Sequence, residues 1–155
     1  MRKKLLIIKK FGGTSLSNIN RIKKAANIVK KEINRGNNVV VVVSAIGKTT
    51  DKLQSLINNI SSNSDSKEID TILSSGEQAS SGLMSLALKE INLKARSFLG
   101  WQLPILTNKS YGKAKILNIG IKLIKNEIKK GVTPVIAGFQ GVTDEFRIST
   151  IGRGG

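Results

Sequence analysis

The chain has 155 residues, 39% of them hydrophobic, and a formal charge of +16 from 26 Lys and Arg against 10 Asp and Glu; it contains neither Cys nor His. That length and apolar fraction suit one compact domain and exclude wholesale disorder. The missing thiols and imidazoles exclude disulfides, thiolate nucleophiles, Ser-His-Asp catalysis and His- or Cys-ligated metals, so no metal site is expected. Any chemistry must run on Lys, Arg, carboxylates, hydroxyls and backbone amides. No apolar run approaches the roughly 20 residues of a membrane span. The apolar start, Leu5–Ile8, is far shorter than the roughly 7–15 residues of a signal-peptide core. A cytoplasmic protein without a membrane partner is expected.

In chain order, Leu5–Phe11 reads as a strand that ends in Gly12-Gly13. Ser17 or Asn18 can cap a helix whose apolar residues Ile19, Ile22, Ala26, Val29 and Ile33 recur in steps of three and four; Gly36 suits its end. Val39–Val43 is a run of valines without alternation, which predicts a strand buried on both faces, as in a parallel sheet covered by helices. A second helix is expected from about Thr50 to Ile60, a polar loop over Ser61–Ser66, and a long helix over about Lys67–Ile91. Lys94–Leu99 reads as a strand, Gly100–Lys113 as irregular, and Ala114–Leu117 as a short strand. Gly120–Lys130 has helical spacing and ends at Gly131, and Val132–Phe139 reads as a last buried strand leading into Gln140-Gly141. No repeat is visible. Strands alternating with helices predict an α/β fold, a three-layer αβα sandwich with a mainly parallel sheet.

The charge invites a nucleic-acid partner, but its pattern argues against one. Lys23, Lys24, Lys30 and Lys31 lie on one predicted helix and Lys122, Lys125, Lys129 and Lys130 on another, largely opposite the apolar stripes. Solvated helix faces explain them, and aromatic residues do not interleave with them as stacking platforms would. A salt titration distinguishes the two, because phosphate-driven binding weakens steeply with salt.

Three strand-to-loop junctions carry candidate chemistry. Lys10-Phe11-Gly12-Gly13-Thr14-Ser15 places glycines between a strand and a helix, where unpaired amides and the Lys10 charge favour an anion. A plain tight turn accounts for the same residues. Ser44-Ala45-Ile46-Gly47-Lys48-Thr49-Thr50-Asp51 follows the valine strand at the carboxyl edge, where open α/β sheets bind ligands; Thr49 or Thr50 as a mere helix cap is the alternative. Gly138-Phe139-Gln140-Gly141 and Gly152-Arg153-Gly154-Gly155 set glycines around one Arg, a bidentate partner for carboxylate or phosphate; a solvated tail is the alternative. Glu77 is a fourth candidate. At 100° per residue it lies within about 40° of Leu73, Met84, Leu88 and Ile91, so it points along the apolar stripe. An inward carboxylate needs a partner, either a Lys of the protein or the ammonium of a ligand.

Six blocks in order resemble the amino-terminal part of aspartate kinase, a member of the amino-acid kinase family. They are Lys10–Ser15, Val42–Asp51, Leu73-Ser74-Ser75-Gly76-Glu77-Gln78, Gly100-Trp101-Gln102, Ala137-Gly138-Phe139-Gln140-Gly141-Val142 and Ile151–Gly155. The resemblance implies phosphoryl transfer from ATP, with Mg2+, to the side-chain carboxylate of L-aspartate. The product is 4-phospho-L-aspartate, the entry to lysine, threonine and methionine synthesis, and no tightly bound cofactor is needed. It further implies that Lys10 neutralises the moving phosphoryl group, with Phe11, Gly12 and Gly13 at the ATP phosphates. Ser44 and Thr50 would position the substrate, Glu77 would hold its ammonium, and Arg153, Gly154 and Gly155 would clamp its carboxylate. The blocks around Ser44–Asp51 and Glu77 speak against a glutamate or uridylate kinase. Ser149, where the family usually has Thr, and Pro104 after the Gly-Trp-Gln block depart from the family pattern. The family's Gly-Arg-Gly-Gly run continues into Ser-Asp, whereas this sequence ends at Gly155. The expectation is therefore residues 1–155 as an incomplete amino-acid kinase domain, without its nucleotide-binding half and ACT domains, from a homo-oligomeric family. Alone it would be inactive, or serve as an assembly module for a separate chain.

Overall fold

The computed structural model describes residues 4–152. Strands β1 (Leu6–Phe11), β2 (Asn38–Val43), β3 (Ala95–Phe98) and β6 (Thr133–Ala137) form a fully parallel sheet in the order β1-β2-β6-β3. The parallel sheet and flanking helices match the expected fold class. Helices α1 (Ile19–Asn34) and α3 (Ser66–Glu90) cover one face of it. There Phe11, Val39, Val41, Val43 and Val135 meet Ile22, Ala26, Val29, Met84 and Leu88 in the larger core. Helix α4 (Lys122–Lys129) packs on the other face against Val40, Phe98 and Ile136. Helix α2 (Thr49–Ile60) follows β2.

Asn18 is the cap of α1, its Oδ1 accepting from the Arg21 amide at 3.0 Å. The lysines of α1 and α4 are exposed as expected, except that Lys30 is half-buried and donates to the Ile91 carbonyl at 3.1 Å. That carbonyl lies just past the end of α3, where a cation complements the helix dipole.

The region expected to be irregular holds structure of its own. Strands β4 (Ile105–Thr107), β5 (Ile116–Ile119), β7 (Gln140–Val142) and β8 (Ile148–Thr150) form a mixed sheet, β5-β4-β7-β8. The short strand thus begins at Ile116 rather than Ala114. The last buried strand ends at Ala137, where Gly138 crosses the sheet edge. A Cβ on Gly138 would lie 2.9 Å from the Val43 carbonyl oxygen, so only glycine permits that crossing. Phe139 then takes a left-handed backbone (φ 66°) and turns the chain into β7.

Asp70 on α3 ties this second sheet to the core. Its side chain is fully buried (0% exposed). It accepts from the Gly112 amide at 3.0 Å, the Thr150 amide at 2.7 Å and Thr150 Oγ1 at 2.8 Å. Neutral donors, not a cation, compensate the carboxylate. Hydrogen bonds to a charged group are worth about 1.5–3 kcal/mol each, and orphaning their donors costs more. Asp70→Asn replaces one acceptor with a donor facing those amides. The variant should lose about 3 kcal/mol of stability by chemical denaturation; a loss below about 1 kcal/mol would show that the tie is dispensable.

Candidate active site

The carboxyl ends of β1, β2 and β6 open onto a groove of about 820 Å³. Parallel strands send their chain exits to one edge, which is where such sheets hold ligands. Lys10, Gly13, Ser44, Thr50, Asp51, Glu77 and Gln140 line one part of it. Ile151 and Gly152, at the exit of β8, line it as well.

Two glycines bring the walls together. A Cβ on Gly13 would lie 3.1 Å from the Ala45 carbonyl oxygen, so the turn after β1 packs directly on the loop after β2. Gly13 also accepts there from the Gly47 amide at 3.3 Å. A Cβ on Gly76 would lie 2.8 Å from the Ala45 Cβ. Glycine at that point lets α3 approach the loop closely enough for the next side chain, Glu77, to reach it. Glu77 Oε1 accepts from the Ala45 amide at 3.1 Å.

Glu77 is 4% exposed, and its Oε2 has no hydrogen-bond partner. Of the two partners considered for it, no Lys forms an ion pair with it among the described residues. A backbone amide holds one oxygen, and the other is left over. Burial pushes its carboxyl above the ordinary value of 4.5 and outweighs the Ala45 hydrogen bond, which pulls the other way. Gln140 shows a parallel arrangement: its Nε2 donates to the Ser74 carbonyl at 3.0 Å, and its Oε1 is buried without a partner.

Of the candidate residues, the structure brings Lys10, Gly13, Ser44, Thr50 and Glu77 together. It does not bring Phe11 with them. Its side chain is buried in the core under α1 and α3, because it sits one residue out of phase with Lys10 on β1. Its carbonyl accepts from the Ser44 amide at 3.0 Å, so Phe11 holds the neighbouring exit in place. Gly12 is exposed and is not part of the lining. Arg153, Gly154 and Gly155 lie outside the described residues. Sequence reasoning missed the Ala45 amide, because any residue type supplies one, and the inward amide of Gln140, which lies in a strand of three residues. Among the described residues no cluster of acidic side chains could hold a metal, and no helix is long and apolar enough to cross a membrane.

A fold of this order, with its ligand groove at the strand exits, is shared widely. The model of the amino acid kinase family matches residues 5–155, and the chain belongs to that family. Within it the chain is 47% identical over 150 residues to an aspartokinase of Geobacillus stearothermophilus, covering 97% of this chain and 37% of the relative. It is 50% identical over 153 residues to an aspartokinase of Rickettsia felis, covering 97% and 38%. The chain thus spans well under half the length of these relatives. The crystal structure of aspartate kinase from Synechocystis superposes with a TM-score of 0.79 at 40% identity, over 99% of this chain and 25% of that one. Aspartokinase III of E. coli, solved in complex with aspartate and ADP, shares the fold with a TM-score of 0.80 at 21% identity, over 99% and 44%.

The sign of the Glu77 shift gives a pH test. A carboxyl whose folded-state pKa is raised binds its proton more tightly in the folded chain than in the unfolded one. That contribution to stability is complete below the unfolded value, about 4.5, and is lost as pH rises through the folded value. Glu77→Gln removes the loss. The difference in unfolding free energy between variant and parent should therefore shift in favour of the variant as pH rises from 4 to 8. A variant that instead loses ground over that range would show a cationic partner for Glu77.

Proposed function

We propose that the chain forms the amino-terminal part of an aspartate kinase domain and carries its aspartate site, working in the cytoplasm. The observation that carries this reading is the free Oε2 of a buried carboxylate, Glu77, in the same groove as Lys10, Ser44 and Thr50. A carboxylate so placed suits an ammonium, and a lysine at the strand exit suits a phosphoryl group. The relatives' name, aspartokinase, and the E. coli enzyme solved with aspartate and ADP support L-aspartate and an adenine nucleotide as the substrate pair; in this reading the nucleotide is ATP with its Mg2+.

In this reading Glu77 grips the substrate ammonium and is ionised when it does so. The hydroxyls of Ser44 and Thr50 orient the substrate. An oxygen of the side-chain carboxylate attacks the γ-phosphorus of ATP. The bond from that phosphorus to the β,γ-bridging oxygen breaks, and ADP leaves with the electron pair. Lys10 offsets the negative charge on the moving phosphoryl group, with the Gly12 and Gly13 backbone near the phosphates. Arg153, with the amides of Gly154 and Gly155, is assigned the other substrate carboxylate by sequence alone. The reaction needs no covalent intermediate and no imidazole, so the enzyme contributes positioning and electrostatics.

Succinate has both carboxylates of aspartate but no ammonium. A lost charge-assisted contact of roughly 1.5–3 kcal/mol corresponds to about 10- to 150-fold in affinity. By calorimetry or NMR titration, L-aspartate should bind this chain at least about 10-fold more tightly than succinate. In Glu77→Gln the two should bind alike. Equal binding of both by the parent chain, or an undiminished preference in the variant, would overturn the assignment.

A further inference from the structure

Gln140 is among the largest side chains that the fold buries, although it stands in a strand of only three residues. The backbone around it is shaped to admit it. Gly138 crosses the sheet edge, and Phe139 takes the left-handed turn that follows. Gly100 lies against it: a Cβ there would be 3.2 Å from the Gln140 Cγ and 3.0 Å from the Gln140 carbonyl oxygen. A methionine would fill much the same volume with no amide to satisfy, so the amide needs a reason of its own.

Half of that reason is on α3. The Ser74 carbonyl can only accept, so the end of the amide that meets it at 3.0 Å is Nε2. Oε1 is what remains, buried and without a partner, on a residue that lines the groove. This orphan belongs to the same corner as the orphan of Glu77. A helix carbonyl points along the axis toward the residues that follow it, and Glu77 follows Ser74 by three, so Gln140 abuts the turn of α3 that carries Glu77. From the sheet side, Val43 of β2 pairs with Ala137 of β6, and the Gly138 amide donates to the Val43 carbonyl at 2.9 Å. The exit that leads to Ala45, which holds Glu77, is therefore the neighbour of the exit that leads to Gln140.

Two orphan acceptors on adjacent elements are complemented by one donor group with several hydrogens. A primary ammonium has three, a hydroxyl one and a carboxylate none. Both side chains end in a soft torsion, so a small rotation presents the sheltered oxygen to a ligand without moving the backbone. We propose that Gln140 Oε1 is a second acceptor for the ammonium of the bound substrate, beside Glu77, and so helps the site to select an amino acid over the matching dicarboxylate; the identity of that substrate rests on the kinase reading above. The division of labour is physical. Glu77 supplies the charge, and Gln140 adds a contact without a second negative group. A second carboxylate at that place would repel the first, and one of the two would take up a proton.

The test compares L-aspartate with succinate on this chain by calorimetry. Gln140→Met keeps the length of the side chain and removes both polar atoms. L-aspartate binding should weaken at least about 10-fold, the loss of one hydrogen bond to a charged group, while succinate binding stays within about 2-fold. In the Glu77→Gln background, where the anchoring charge is gone, adding Gln140→Met should change neither, because the two residues act on one group. A second measurement needs no variant: with isotope-labelled glutamine side chains read by NMR, the Gln140 side-chain carbonyl resonance should move on titration with L-aspartate and stay in place with succinate. If Gln140→Met does not fold, that resonance decides. Undiminished L-aspartate binding in Gln140→Met, equal weakening of both ligands, or an unmoved Gln140 carbonyl would each overturn the proposal and leave the Glu77 assignment standing. A parent chain that binds the two ligands alike, or neither, overturns the kinase reading and this inference with it.

Discussion

Much of this structure hangs on one helix face with two carboxylates. Asp70 and Glu77 are seven residues apart on α3, two turns, so they project from the same side about 10 Å apart along the axis. Each is held by backbone amides rather than by a cation: Asp70 by Gly112 and Thr150, Glu77 by Ala45. Backbone donors are fixed by the fold, whereas a lysine ammonium rides on a flexible stem. The two carboxylates therefore register α3 against two separate strand exits. Asp70 holds the exit of β8, and Glu77 the exit of β2. Where those exits lie decides where Ser44, Ile151 and Gly152 stand in the groove.

The two carboxylates differ in what is left over. Both Asp70 oxygens accept hydrogen bonds, so its hydrogen-bonding is spent within the fold. Glu77 receives one bond and retains one buried, unpartnered oxygen. An unsatisfied buried acceptor costs on the order of 1–3 kcal/mol. Ser85, Tyr111 and Arg147 carry buried unpartnered atoms outside the groove, but Glu77 and Gln140 turn theirs toward it, which is what sets Glu77 apart from Asp70 on the same helix face.

The sequence made the main sheet legible because its signals were of the strong kind. The unbroken valines of β2 fit a strand covered on both faces, and the three- and four-residue steps of α1 fit a helix on one of them. The second sheet was not legible. Its strands β4, β7 and β8 have three residues each, too few for a period to show, and the pairing that joins its two hairpins, Leu106 of β4 with Val142 of β7, is distant in sequence. At the site, the inward direction of Glu77 followed from helix periodicity, but its partner did not, since a backbone amide leaves no trace in residue type. Phe11 marks the same boundary. A motif fixes which residues are adjacent in sequence, while the alternation of a strand sends every second one to the other face.

The abundance of lysine sharpens the reading of the groove. With 26 cations to 10 anions, a carboxylate in this chain has no shortage of available partners. Glu32, Glu68, Glu127, Asp144 and Glu145 all take one. Glu77 takes none among the described residues, although Lys10 borders the same groove. A direct Lys10–Glu77 pair would have satisfied the orphan oxygen and relieved the cost of burial, at the expense of both charges. Their separation keeps a negative and a positive group available at one sheet edge. A single bound cation or anion uses only one of them. A ligand set with an ammonium at one place and a transferable anionic group at another would use both, which is the arrangement that the proposed aspartate and ATP present together.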